Sequence, residues 1–194
     1  MYDILKLKRF VLLGVLALSA CANTAPSTPP TSNVDQVNTL DPQEMVQVHN
    51  QVRAQVGLQP LTWSPVLASY AQEWADSLAQ HYGCGLKHRQ EMGQDREQWG
   101  ENLYWSGAVM WSDGARETAL VSSGEVAQAW ADEQADYNYS RNRCRRGKQC
   151  GHYTQMVWQS TTQVGCGMAF CPNAGQIWVC NYDPPGNWIG ERPY

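Results

Sequence analysis

Residues 163–182 read QVGCGMAFCPNAGQIWVCNY. Val164, Cys166, Met168 and Phe170 alternate with Gln163, Gly165, Gly167 and Ala169, and a period of two is that of a β-strand. Residues 176–182 read as a second strand. Between them, Cys171-Pro-Asn-Ala-Gly175 has the composition of a turn. The C-terminal third therefore predicts an antiparallel hairpin.

Upstream the period lengthens. Asp41 is a good N-cap, Pro42 suits the first helical position, and Glu44 completes a capping-box pattern. Met45, Val48, His49, Val52 and Val56 follow at helical spacing, and Gly57 stops the helix. Ser64-Pro65 starts a second helix in the same way. Leu67, Tyr70, Ala71, Trp74, Ala75 and Leu78 form its apolar face, and Gly83 ends it. A third helix is predicted from Ser123 to about Ala135, with Val126, Ala129, Trp130 and Glu133 on one face. Helices first and a hairpin last predict the α+β class, with helices packed on a sheet.

The first forty residues do not read as a folded domain. Lys6, Lys8 and Arg9 precede the apolar run 10–18 (FVLLGVLAL), too short to span a bilayer and suited to a signal peptide. Leu18-Ser19-Ala20-Cys21 resembles a bacterial lipobox, in which Cys21 is lipidated and becomes the new N-terminus. Ala20-Cys21-Ala22 also fits an ordinary A-x-A cleavage site. The expected organisation is a lipoprotein signal peptide over 1–21, a flexible Pro/Ser/Thr tether over 22–40 and one domain over 41–194. The expected location is an exported, membrane-anchored lipoprotein at the cell surface or in the periplasm; the alternative is a secreted soluble protein.

About 150 residues suffice for one domain with its own core. Nine Trp and nine Tyr against two Phe mark aromatic bodies that need polar partners or a wet rim. Removing residues 1–21 takes Lys6, Lys8 and Arg9 against Asp3, so 14 basic and 18 acidic residues become 11 and 17. This acidic balance excludes nucleic acid as the expected partner, because a basic face supplies most of that affinity. Cys84, Cys144, Cys150, Cys166, Cys171 and Cys180 remain once Cys21 is set aside. An even number in an exported chain implies disulfides, with fifteen connectivities open, and none shows C-x-x-C spacing.

Three stretches concentrate chemistry. His49-Asn50-x-x-Arg53 lies on the first helix, where His49 reads as a satisfied core residue. Asn50 and Arg53 are placed to cap carbonyls or pair with a carboxylate. Gly100-Glu101-Asn102-Leu103 reads as irregular chain that puts Glu101 at a cleft wall. Gly151-His152-Tyr-Thr-Gln-Met-Val-Trp158 brings an imidazole, a hydroxyl and an amide together. Separately, Arg141, Arg143, Arg145, Arg146 and Lys148 crowd one short segment, which reads as a solvated face with anionic lipid headgroups as the alternative contact.

Taken together and in order, His49–Arg53, Gly100–Leu103, Gly151–Trp158 and Cys180–Trp188 (CNYDPPGNW) are similar to the four signatures of the CAP superfamily: cysteine-rich secretory proteins, antigen 5 and pathogenesis-related 1 proteins. The resemblance covers residues 41–194. It leans toward the plant pathogenesis-related protein 1 branch, including the ending 186–194 (GNWIGERPY). Trp178 departs from it, standing where the family has a smaller apolar residue, Phe or Tyr.

The resemblance implies a three-layer α/β/α sandwich with a short central antiparallel sheet. It implies disulfides Cys84–Cys171, Cys144–Cys150 and Cys166–Cys180. It also implies a cavity lined by His88, Glu101, Glu133 and His152, a tetrad able to hold Zn²⁺ or another divalent ion with water, or to organise the cleft as a polar cluster. His81 competes with His88, because thirteen positions separate His88 from Glu101. In some family members the segment matching 103–111 helps bind sterols and related lipids, so Leu103, Tyr104, Trp105 and Trp111 are expected ligand contacts. The leading functional expectation is a non-enzymatic, tethered domain that needs no cofactor and binds an amphipathic ligand or a protein. The alternatives are a metal-dependent hydrolase using the tetrad and a stapled interaction scaffold.

Overall fold

The computed structural model describes residues 40–95 and 98–194; the signal segment, Cys21 and the tether to residue 39 lie outside the described residues. In chain order come α1 (Pro42–Gln55), β1 (Thr62–Trp63), α2 (Pro65–His81), β2 (Gly100–Ser106), β3 (Ala108–Met110), β4 (Arg116–Thr118) and α3 (Ser123–Asp132). A 3₁₀ turn (Glu133–Asp136), β5 (Tyr137–Asn138), β6 (Arg143–Cys144), α4 (Gly151–Met156), β7 (Gln163–Phe170) and β8 (Gln176–Asp183) follow. The main sheet has the order β1-β7-β8-β2. β7, β8 and β2 are antiparallel, and the two-residue β1 adds a parallel edge to β7.

Alternation along the strands sends side chains to two cores. Leu103, Ile177 and Val179 join Ala71, Trp74, Ala75 and Leu78 of α2. Val164, Cys166, Trp178, Cys180 and Tyr182 join Met45 and Val52 of α1, Val126 and Trp130 of α3, and Tyr153 and Met156 of α4. The result is the α/β/α sandwich, with α2 on one face and α1, α3 and α4 on the other. Trp178, the departure from the family pattern, is 1% exposed and fills the second core.

The polar-looking side of β7 is not a solvent face. A Cβ on Gly165 would lie 2.3 Å from the Ala68 backbone nitrogen, and one on Gly167 would lie 2.3 Å from Gln72 Cα. The two glycines let the α2 backbone settle directly on the strand. Gln72 then locks the contact: its amide donates to the Met168 carbonyl at 2.8 Å and its carbonyl oxygen accepts the Met168 N–H at 3.0 Å.

Three local expectations change. Asp41 caps α1 by accepting from the N–H groups of Gln43 and Glu44, but Glu44 does not close a capping box. The Asp41 N–H instead donates to Ser123 Oγ, and Glu44 accepts from Ser122 Oγ, so the pattern becomes a tertiary clamp between α1 and α3. The true capping box is Ser122 with Glu125. Ala129 is exposed, because the buried stripe of α3 runs through Ser123, Val126, Ala127, Trp130 and Ala131. Gly100–Leu103 is not irregular: it begins β2, in register with Tyr182–Val179 of β8.

All six cysteines of the described residues are paired. Cys84–Cys171 ties the end of α2 to the β7–β8 turn across 87 residues of chain. Cys166–Cys180 links directly opposed positions of the hairpin, and Cys144–Cys150 closes the loop before α4. Closing the longest of these loops removes the most unfolded-chain entropy, about 4–5 kcal/mol.

Candidate functional site

One buried network joins the four signature stretches. His49 is fully buried; its Nδ1–H donates to the Met45 carbonyl at 2.8 Å, which leaves Nε2 to accept from the Tyr182 hydroxyl at 2.9 Å. Asn102 Nδ2 donates to the Tyr182 hydroxyl oxygen at 3.0 Å and to the His152 carbonyl at 3.1 Å. His49 is thus the satisfied core residue that its helical face predicted. Burial, opposed by the Met45 hydrogen bond, lowers its pKa to about 4.

This shift has a consequence in acid. The unfolded chain protonates His49 near 6.5 while the fold keeps it neutral, so the stabilisation is complete above that pH. It is lost as pH falls through the window from 6.5 to about 4. The expected loss approaches about 3 kcal/mol. Urea unfolding at pH 7 and pH 4 measures it, and His49→Phe is expected to flatten that part of the pH dependence.

Arg53 and Asn50 cap carbonyls rather than pair with a carboxylate. The Arg53 guanidinium donates to the carbonyls of Gln59, Met156, Trp158 and Thr161 at 2.7–3.0 Å. Asn50 exchanges hydrogen bonds with both backbone groups of Leu61.

The four tetrad residues form two hydrogen-bonded His–Glu units. His88 Nδ1–H donates to Glu101 Oε1 at 2.8 Å, and the Arg89 N–H donates to the same oxygen at 3.1 Å. The hydrogen bond to Glu101 raises the His88 pKa, against desolvation, with the charges of Glu101 and Glu91 adding to it. That pairing stabilises the fold fully below the ordinary value near 6.5 and is lost as pH rises through the folded pKa. His81 sits exposed in the last turn of α2, so His88 is the imidazole on Glu101.

On the other layer, His152 Nδ1–H donates to Glu133 Oε1 at 2.7 Å, and the N–H groups of His152 and Tyr153 donate to Oε2. Glu133 lies one residue beyond α3 and serves as the carboxylate cap of α4. His152 also stacks on Trp130, with centroids 6.1 Å apart.

A cleft of about 460 Å³ opens beside the first unit. His88, Glu101, Gln155 and Asn181 give it a polar floor, and Trp99, Pro185 and Trp188 give it apolar walls; His152 and Glu133 are not among its lining residues. Buried Gln155 accepts the Gly186 N–H at 3.0 Å and so fixes the wall that carries Trp188. Glu101 Oε2 and Asn181 Oδ1 are buried without a hydrogen-bond partner. Glu101 and Asn181 are paired directly across β2 and β8, so their side chains leave the same face of the sheet.

The aromatic segment after Glu101 does not join this cleft. Leu103 points into the α2 core, Tyr104 packs against the opposite core, and Trp105 and Trp111 are 43% and 55% exposed. Strand alternation splits Leu103, Tyr104 and Trp105 of β2 between two faces, and Trp111 lies beyond β3. Trp99, Asn181 and Trp188 are the cleft residues that sequence reading missed. Asn181 and Trp188 sat inside a signature whose spacing gave them no role.

The sandwich agrees with the comparisons. The family model of the cysteine-rich secretory protein family, CAP, matches residues 46–182. The chain belongs to the CAP family. Among its relatives, pathogenesis-related leaf protein 4 of Solanum lycopersicum is 44% identical over 79% of this chain and 83% of its own. Pathogenesis-related protein 1A of Nicotiana tabacum is 40% identical over 78% of this chain and 80% of its own. Among solved structures, Schistosoma mansoni venom allergen-like protein 4 superposes with a TM-score of 0.55 at 28% identity, over 78% of this chain and 92% of that one. Na-ASP-1 shares the fold at a TM-score of 0.58 and 22% identity, over 88% of this chain and 46% of that one.

Proposed function

We propose that this CAP domain is a non-enzymatic binding protein whose cleft at His88 and Glu101 takes a small amphipathic ligand with a hydrogen-bond-donating head. The observation that carries this is the pair of unpaired acceptors, Glu101 Oε2 and Asn181 Oδ1, in residues that line a cleft walled by Trp99 and Trp188. A buried acceptor without a donor costs about 1–3 kcal/mol, and a hydroxyl or ammonium head group recovers that energy. The tryptophans then cover the apolar part of the ligand. Three disulfides fit an exported protein in an oxidising compartment, and lipidation of Cys21 tethers it there.

The metal-dependent hydrolase is the alternative reading: among the described residues no group of three or more His, Cys, Asp or Glu side chains is placed to hold a metal ion, and metal analysis of the purified protein with and without added Zn²⁺ tests it.

Calorimetric titration with dodecylammonium, cholesterol and methyl dodecanoate tests the proposal. The two donor-headed amphiphiles are expected to bind at least about tenfold more tightly than the acceptor-only ester. Glu101→Gln and Trp188→Ala are each expected to weaken dodecylammonium by about tenfold. Equal binding of all three probes, or indifference to both substitutions, overturns it.

A further inference from the structure

The basic segment takes no part in the cleft. Arg141, Arg143, Arg145 and Arg146 are exposed and, with Asn138 and Cys144, line a separate concavity of about 480 Å³. Among the described residues the ion pair on this segment belongs to Lys148, which reaches Asp136 at 3.8 Å. In a chain of net charge -4, an arginine cluster without carboxylate partners is a local field and not an effect of composition.

The cluster is held rigidly. Cys144–Cys150 closes its loop, Tyr137 donates to Asn142 Oδ1 at 2.7 Å, and Asn142 Nδ2 donates to the Glu191 carbonyl at 2.7 Å. The Arg192 guanidinium donates to the carbonyls of Tyr139 and Ser140. These bonds bring the C-terminal segment against the arginines, and with it a second feature. Ile189 is 103% exposed and Trp188 56% exposed. Both line a groove of about 310 Å³ that shares Arg143 and Cys144 with the arginine concavity. The acidic residue of that groove is Glu191.

We propose that this face docks on a bilayer surface rich in anionic phospholipid headgroups. The arginines meet lipid phosphates, for which the guanidinium fork is suited. Ile189 and Trp188 enter the interfacial layer, where an exposed aliphatic group is removed from water and an indole is at home. A free phosphate would engage the arginines and leave Ile189 in water; a bilayer engages both.

Vesicle co-sedimentation of residues 21–194 carrying Cys21→Ser, without the basic and apolar leader, tests this, with phosphatidylcholine vesicles against vesicles that also contain phosphatidylglycerol. Binding is expected to need phosphatidylglycerol and to weaken with added salt. Neutralising Arg141, Arg145 and Arg146 singly to Ser is expected to lower partitioning about fivefold each. Ile189→Ser is expected to lower it about tenfold, with Trp188 left in place. Equal binding to both vesicle types overturns the proposal, and so does indifference to the arginine variants. If inorganic phosphate titrates the arginine resonances while Ile189→Ser leaves vesicle binding unchanged, the site is one for small anions and the bilayer assignment fails.

Discussion

Gly167→Ala is expected to destabilise the domain by about 3 kcal/mol or more. The added Cβ would meet Gln72 Cα and N at 2.3 Å and the Ala71 carbonyl carbon at 2.8 Å. These are backbone atoms of a helix that cannot swing aside, and overpacking a rigid contact typically costs 1–3 kcal/mol or more. Retreat of α2 would also loosen Ala71, Trp74, Ala75 and Leu78 from Ile177 and Val179, and would break the Gln72–Met168 pair. Gly151→Ala is the control, since its Cβ meets nothing within 4 Å; its expected change is within about 0.5 kcal/mol. Urea unfolding of both variants under oxidising conditions measures the difference. Equal stability of the two would show that α2 does not rest on the glycines of β7.

Arg53→Met is expected to cost about 4 kcal/mol. The side chain is 1% exposed, and methionine replaces its bulk without its donors. Four carbonyls, those of Gln59, Met156, Trp158 and Thr161, lose a charge-assisted partner. The Trp158 carbonyl keeps the Thr161 N–H at 3.2 Å; each of the other acceptors left unpaired costs about 1–3 kcal/mol before relaxation and water entry offset part of the sum. Arg53→Lys restores a charge but not the fork that reaches four acceptors, so an intermediate loss of about 2 kcal/mol is expected. The midpoint of urea unfolding orders the three proteins as wild type, Arg53→Lys, Arg53→Met.

The two arginines held in the interior show where sequence reading stops. The α2 face was legible because its apolar residues repeat at i, i+3 and i+4, a signal contained in the helix itself. The β7–β8 hairpin was legible because it is local. Arg53 was readable as a capping residue, but its acceptors at Met156, Trp158 and Thr161 lie more than a hundred residues downstream. Arg89 read as part of a polar insertion, yet it is 3% exposed, donating to the Tyr70 and Gln94 carbonyls, pairing with Glu73 at 2.7 Å and lying 3.8 Å over the Tyr70 ring. No periodicity marks such a residue.

β2 was missed for a related reason. Along 100–104, Glu101 and Leu103 alternate toward α2 with Asn102 and Tyr104 toward the other layer, so both faces mix polar and apolar residues. Its strand character comes from β8, about eighty residues away in register. The family resemblance supplied the tetrad and the disulfide pairs. What it did not supply was the division of the tetrad into two units, because that depends on which layer each residue enters from. The cleft walls at Trp99 and Trp188 and the exposed Ile189 likewise become visible only once the C-terminal segment has been tied down by Gln155 and Asn142.

Dodecylammonium is expected between Trp99 and Trp188, over the His88–Glu101 pair. Its addition to ¹⁵N-labelled protein, followed through the tryptophan indole N–H resonances and the His88 ring, tests this. The predicted result is saturable shifts of Trp99, Trp188 and His88, with Trp105 and Trp111 unmoved, and loss of those shifts in Glu101→Gln. Shifts confined to Trp105 and Trp111, or none at any resonance, would contradict the account.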